Sequence, residues 1–345
     1  MSTPSPRANP RATPARSPKP PSADDEGAEP GPGQGGSILM TELQKLRGSE
    51  PASVGLALPT TPRMRYWKPA PALRGLVSGY HLYAVTTPPG RPHRDVFQPA
   101  WANIRVLLTA ATDWRVRVGE GAWKPVGECA LFGPSSQVTW SESGSGIVVG
   151  AGLTPLGWAR LSKFPAASWA NRVEDCDAAF GDVIAALRPL LRGAADDDAL
   201  PVLFDAFLIG AMARATRLDS AIARLDSALL DPANTTVGAL AKRIGITPRS
   251  LERIAARAFG FPPKLLLRRA RFLRSLHAIR RAEPSERAAA IDPGYTDYPH
   301  FIRDAQDFLG MPPRAFLKLD MPLFAQSAKL RDQVLGAPAQ ALGSG

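Results

Sequence analysis

Histidine and cysteine are scarce in this sequence, four and two among 345 residues. The cysteines, Cys129 and Cys176, suit a reducing cytosol and supply neither a disulfide framework nor a zinc site. The strand-rich middle of the chain holds only His81 and His93, too few for a multi-imidazole centre, which argues against a metal-dependent barrel enzyme. No segment has the eighteen uninterrupted apolar residues of a membrane helix; the nearest, 199–213, is broken by Pro201 and Asp205. A phosphate-binding loop and a Ser/His/Asp set are also missing. The opening residues have no apolar run that could serve as the core of a signal peptide or offset the entropy of ordering. The expectation is a cytoplasmic protein without membrane contact, catalytic residues, metal or cofactor, whose residues 1–62 form a disordered tail.

Proline and positive charge are abundant. Nine of the 35 prolines fall in the first 36 residues, which fits that tail. The net charge is +11, and residues 235–320 carry sixteen Lys/Arg against eight Asp/Glu, so one quarter of the chain holds +8 of it. A basic surface of that kind suggests a polyanionic partner, with a plain solvated helix face as the alternative.

The same quarter contains a repeat. "FGFPPK" at 259–264 returns as "LGMPPR" at 309–314, an offset of fifty, and Leu251 aligns with Phe301, Arg253 with Arg303, Leu266 with Phe316. In the first copy Val237, Leu240, Ala241 and Ile244 make one apolar stripe of a short helix, and Gly245 is suited to end it. Thr247 then caps a second helix with Pro248 at its first position, burying Leu251, Ile254, Ala255 and Phe259 until Gly260 stops it. In the second copy Ser285 and the following alanines predict the first helix, Gly294 the turn, and Asp297 the cap of a helix that buries Phe301, Ala305 and Phe308. Each unit reads as helix-turn-helix. Between them, Leu266, Ala270, Leu273, Leu276 and Ile279 mark a connecting helix over 264–281. At ~1.5 Å per residue it spans roughly 27 Å, and successive major-groove faces repeat at ~34 Å. Two recognition helices can therefore meet adjacent turns of one duplex.

These residues resemble the DNA-binding domain of AraC/XylS-type transcription regulators, in "LAKRIGITPRSLERIAARAFGFPPK" and "GYTDYPHFIRDAQDFLGMPPRAF". The resemblance implies double-stranded DNA as partner and a domain spanning 234–320. The first recognition helix would present Arg249, Ser250, Glu252, Arg253 and Arg257, the second Tyr298, Pro299, His300 and Arg303, with Lys242 and Arg243 on phosphates. Arginine can hold guanine with two hydrogen bonds and Glu252 can accept from a cytosine amino group; phosphate contacts set register without reading sequence. Arg257 also leans toward the backbone. The second helix has one strong donor, Arg303, with Asp304 and Asp307 adding repulsion unless they turn away, so the first unit is expected to dominate readout. Carboxylate pairing of Arg253 and Arg303 within the protein is the competing structural reading. His277 is expected on the connector's exposed side, and His300 in packing or on a phosphate.

Upstream, short strand-like runs at 75–85, 103–110, 114–119, 127–133, 136–142 and 146–153 predict a barrel or sandwich over 63–175. This region resembles the cupin-like sensing domains found ahead of such regulators, which implies a small-molecule effector. All seven tryptophans (Trp67, Trp101, Trp114, Trp123, Trp140, Trp158, Trp169) lie here, as core residues or as walls of an effector pocket. Helical patterns over 176–233 fit packing on the barrel, pairing of two subunits in a homodimer, or a spacer, and 321–345 reads as a flexible tail. The fold expected is α+β: a β-barrel-like domain, a helical linker and an all-α domain with two helix-turn-helix motifs joined by a long helix. The function expected is sequence-specific transcription regulation; the alternative is a barrel enzyme with a nucleic-acid anchor.

Overall fold

The computed structural model describes residue 58 and residues 62–109, 113–319 and 322–335. All of them lie in one compact unit, 48–345. The expected disordered tail lies outside the described residues, apart from Leu58 and Pro62.

The N-terminal half is a pair of antiparallel sheets. The larger has the order β1 (Arg63–Trp67), β2 (Val77–Val85), β9 (Gly146–Leu153), β4 (Asn103–Leu107), β7 (Cys129–Phe132), β10 (Val173–Asp175). The smaller runs β3 (His93–Phe97), β8 (Thr139–Ser143), β5 (Arg115–Val118), β6 (Lys124–Pro125). Each of the six predicted runs contains a strand. β1, β3, β6 and β10 were not anticipated. β3 buries the carboxylate of Asp95, which no apolar alternation marks in the sequence.

One row across the larger sheet bears on the barrel interior. Tyr66 pairs with His81, His81 with Gly150, and Gly150 with Arg105. A Cβ at Gly150 would stand 2.5 Å from His81 Nε2, so the missing side chain is what lets the imidazole lie across the neighbouring strand. The result is a row of polar side chains across the sheet.

The segment 176–211 packs on the other face of this sheet. Phe204, in helix α5 (Ala199–Ala211), stacks on Tyr80 at 4.8 Å between ring centres, and Tyr80 Oη donates to Asp205 at 2.7 Å. Of the three arrangements open to this segment in sequence, packing on the barrel is the one observed. Helix α6 (Asp219–Leu230) instead shares its core with the first helix-turn-helix unit: Ile222, Leu225 and Leu229 pack with Leu240, Ile244 and Leu251.

The two glycine stops have the backbone the repeat demanded. Gly260 has φ +85° and Gly310 φ +71°, both left-handed. Pro263 and Pro313 then open the next helices, α9 (Pro263–Arg281) and α11 (Pro313–Leu317), at positions where a missing N–H is harmless. The two stops differ in their surroundings. A Cβ at Gly310 meets open space, whereas one at Gly260 would lie 2.7 Å from Pro134 Cγ and 3.2 Å from Ala166 O. Gly310→Ala is therefore expected to cost about 1–2 kcal/mol from backbone strain alone. Gly260→Ala should cost about 2–5 kcal/mol, since overpacking adds to the strain; chemical unfolding of both variants checks the order.

Two expectations fail. Residues 284–290 form consecutive turns, without the short helix that Ser285 and the alanines predict. Five of these seven residues are exposed and none is buried, so no buried stripe is available to hold a helix this short. The region after 320, expected as a flexible tail, contains helix α12 (Pro322–Leu335). It returns to β1, where Leu323, Leu330 and Val334 pack with Met64, Tyr66 and Val85.

Candidate nucleic-acid interface

The first unit is built as its sequence indicates. Helix α7 (Val237–Ile244) is capped by Thr236, whose side chain accepts from Ala239 N, and ends at Gly245 in the left-handed region. Helix α8 (Pro248–Ile254) is capped by Thr247, which accepts from Ser250 N, with Leu251 and Ile254 buried beneath it. The opposite face leaves Arg249, Glu252 and Arg253 exposed. Ser250 is half-buried and its hydroxyl lies 3.1 Å from that of Thr247, which ties it to the cap. Lys242 and Arg243 are exposed on the preceding helix, Arg243 with a loose contact to Asp231 at 3.7 Å. Among the described residues neither Arg253 nor Arg303 forms an ion pair, so the structural reading of these two arginines finds no carboxylate.

Arg257 departs from its expected role. Residues 255–259 form one wide helical turn closed by the bond from Gly260 N to Ala255 O. This turn aims Arg257 at the barrel, where Nη2 donates to Ser162 O at 3.0 Å and burial lowers its pKa. It is a contact with the N-terminal half and does not share the exposed face of Arg249 and Arg253.

In the second unit, helix α10 (Tyr298–Leu309) begins at Asp297, which accepts from His300 N at 2.7 Å. Tyr298, Pro299 and Arg303 are exposed. His300 is half-buried: Nε2 lies 3.2 Å from Arg271 Nη2, and the ring meets Tyr295 edge-on. Asp304 turns inward, while Asp307 stays exposed beside it. Asp304 is 1% exposed and accepts from Arg268 and from Tyr295 Oη at 2.8 Å, with Arg271 at 3.5 Å. Asp307 pairs with Arg268 as well. Burial, with the Asp304 charge second, pushes the Tyr295 hydroxyl well above its usual pKa. The carboxylates expected to repel phosphate instead fasten the second recognition helix to the connector.

The sequence reading missed how tightly the connector seats on the barrel. Arg269 is 1% exposed, its guanidinium 4.1 Å from the centre of the Trp101 ring, and Nε donates to Ser135 O at 3.0 Å. Burial pulls its pKa down to about 9, with Asp226 the opposing charge. His277, expected on the surface, is buried and lies 3.0 Å from the Gln98 side-chain nitrogen. Val138 N donates to Phe308 O at 3.0 Å, joining the smaller sheet to the second recognition helix. A signal was present: Arg269 stands three residues after Leu266 and four before Leu273, inside the apolar stripe.

A helix-turn-helix domain family matches residues 240–319. No curated protein sequence matches the chain. Among solved structures, ToxT from Vibrio cholerae is similar over 69% of this chain and 97% of its own, at 13% identity and a TM-score of 0.39. ToxT from Vibrio cholerae O395 bound to (E)-4-(8-methylnaphthalen-1-yl)but-3-enoic acid is similar over 75% and 98%, at 12% identity and 0.39. Unsaturated fatty acid bound ToxT from strain SCE256 covers 76% and 96%, at 11% identity and 0.37. The repeat, the capped helix pair and the family match converge on one statement: the C-terminal region of this chain carries a helix-turn-helix domain.

Proposed function

We propose that the chain is a sequence-specific, DNA-binding transcription regulator whose barrel takes a small-molecule effector. The observation that carries this reading is the exposed pair Arg249 and Arg253 on a capped helix, repeated across a 19-residue connector by a second capped helix bearing Arg303. Arg249 and Arg253 are four apart and share one face, so both can reach base edges in one groove. Lys242 and Arg243 stand on the flank where phosphates pass, setting register. Glu252, beside them, selects for a cytosine amino group.

Effector control has a physical route in the seating of the connector. Arg269, His277 and the Phe308 carbonyl all bond to barrel residues, so a change in barrel shape alters the spacing of the recognition helices. Among the described residues no helix is long and apolar enough to cross a membrane. Pairing of two chains is a further element of the proposal, since two copies would double the number of half-sites read.

Titrating a promoter-length duplex at several salt concentrations tests the reading. Each phosphate contact should contribute a slope of about −0.9 in log K against log salt. With Lys242, Arg243 and the recognition-helix cations engaged, the total should be steeper than about −3. Absence of duplex binding at low salt would sink the proposal.

A further inference from the structure

The chain's only two cysteines, far apart in sequence, come together at one edge of the larger sheet. Both are free thiols. Strands β7 and β10 are antiparallel neighbours in the register Phe132↔Val173, Leu131↔Glu174, Ala130↔Asp175. One step further along this ladder Cys129 stands opposite Cys176, where the chain leaves β10 and enters helix α2 (Cys176–Phe180). Side chains alternate between the faces of a strand. Cys129 and Leu131 face the apolar cluster that also contains Cys176, while Ala130 and Phe132 pack with Trp114 on the other face. The two thiols therefore share one side of the sheet. Directly opposite residues of an antiparallel pair have Cα atoms about 4.5–5.5 Å apart, inside the ~4.4–6.8 Å that a disulfide spans.

Their environments differ. Cys176 is fully buried, and burial, then hydrogen bonding with the Cys129 thiol, push its pKa well above the usual value, so it stays protonated. Cys129 is half-buried and is the thiol that a dissolved oxidant meets first. Plain packing is the competing reading, since a free cysteine behaves as a small apolar side chain; it predicts no chemistry between the two sulfurs. Among the described residues no group of three His, Cys, Asp or Glu side chains could hold a metal ion, so a shared metal does not compete for the pair. In reducing compartments the disulfides that do form are transient and serve catalysis or redox sensing.

We propose that Cys129 and Cys176 are a modification site: a dithiol that hydrogen peroxide closes into a reversible disulfide within one chain. Cys129 Sγ, as thiolate, attacks one peroxide oxygen; the O–O bond breaks, hydroxide leaves, and Cys129 becomes a sulfenic acid. Cys176 Sγ then attacks the Cys129 sulfur. The S–S bond forms, the S–O bond breaks, and the oxygen departs as water with the Cys176 proton. The two thiols together lose two electrons and two protons, and the peroxide ends as two waters. A small dithiol restores both thiols by exchange. The bond ties the start of the helical segment to β7. Beyond the strands the same two chain segments remain paired, Gly133 N donating to Arg172 O and Asn171 N to Pro134 O, and Ser135 O accepts from Arg269 of the connector. The disulfide thus lies on the ladder that also seats the connector. The inference goes beyond the DNA-binding reading and does not rest on it.

The test treats the folded full chain with hydrogen peroxide at a dose that fully oxidises glutathione in a parallel sample, then reads intact mass, free thiols and a non-reducing peptide map. Both thiols should disappear, the mass should fall by that of two hydrogens, and one cross-linked species should join the peptides carrying Cys129 and Cys176. Dithiothreitol should return both thiols. In Cys176→Ala the sulfenic acid has no thiol to resolve it, so dimedone labelling of Cys129 should exceed that of the wild type by about tenfold. Persistence of both thiols at this dose overturns the proposal. So does oxygen added to Cys129 while Cys176 stays free, or a bond that joins two chains in place of one. Should Cys176→Ala fail to fold, the wild-type mass and peptide map decide the matter alone.

Discussion

Replacing Arg249 and Arg253 together by alanine is expected to weaken binding to the specific site by a hundredfold or more, while binding to unrelated duplex changes far less. Each bidentate base contact discriminates by about 1–3 kcal/mol. Both side chains are solvent-exposed and neither makes an ion pair among the described residues, so the free protein loses little when they are removed. The effect should therefore be confined to specific affinity, with the unfolding midpoint nearly unchanged. Arg303→Ala should cost less, because the second helix offers Tyr298 and Pro299 where the first offers further donors. Footprinting and competition with scrambled duplex measure both; a greater loss of specificity for Arg303→Ala than for the double variant would reverse the ranking of the two units.

The second large effect is expected at Asp304. Its carboxylate is buried and receives Arg268, Tyr295 Oη and the more distant Arg271. Asp304→Ala would remove the carboxylate that Arg271 and Tyr295 Oη share and leave Arg268 with Asp307 alone. Removing one partner from a buried charge cluster costs about 3–5 kcal/mol, enough to loosen or unfold that unit. Asp307→Ala, at an exposed carboxylate that pairs with the same Arg268, should cost under about 1 kcal/mol. Urea unfolding gives the totals, and hydrogen exchange over 298–309 shows whether the loss is local. Equal costs for the two variants would contradict the buried-cluster account.

The contrast between these two aspartates shows where sequence reasoning runs short. Both precede the same glycine stop on one short helix, and in sequence both are merely acidic residues near a nucleic-acid face. Which one is buried depends on the rotation of α10 against the connector, a long-range packing outcome. The stop itself was legible, because a left-handed glycine followed by two prolines is a local backbone constraint that needs no partner. The caps at Thr247 and Asp297 were legible for the same reason. Arg257 and His277 were misplaced because the barrel they bond to lies about a hundred residues or more upstream. The C-terminal helix was missed because its apolar face has no partner within its own neighbourhood and is completed by β1.

By itself, the sequence determined the elements set by short-range chemistry: the first helix-turn-helix unit, the capped second helix of the next unit, their glycine stops, the connector between them, six of the strands, and the exposure of Arg249 and Arg253. Tertiary structure decided which charges are withdrawn from the exposed face of the recognition helices, how the connector is seated on the barrel, and that helix α12 packs on β1. The division follows from range. Hydrogen bonds within a turn and periodic burial act over a few residues, whereas the partner of a buried charge is chosen by chain segments that meet only after folding.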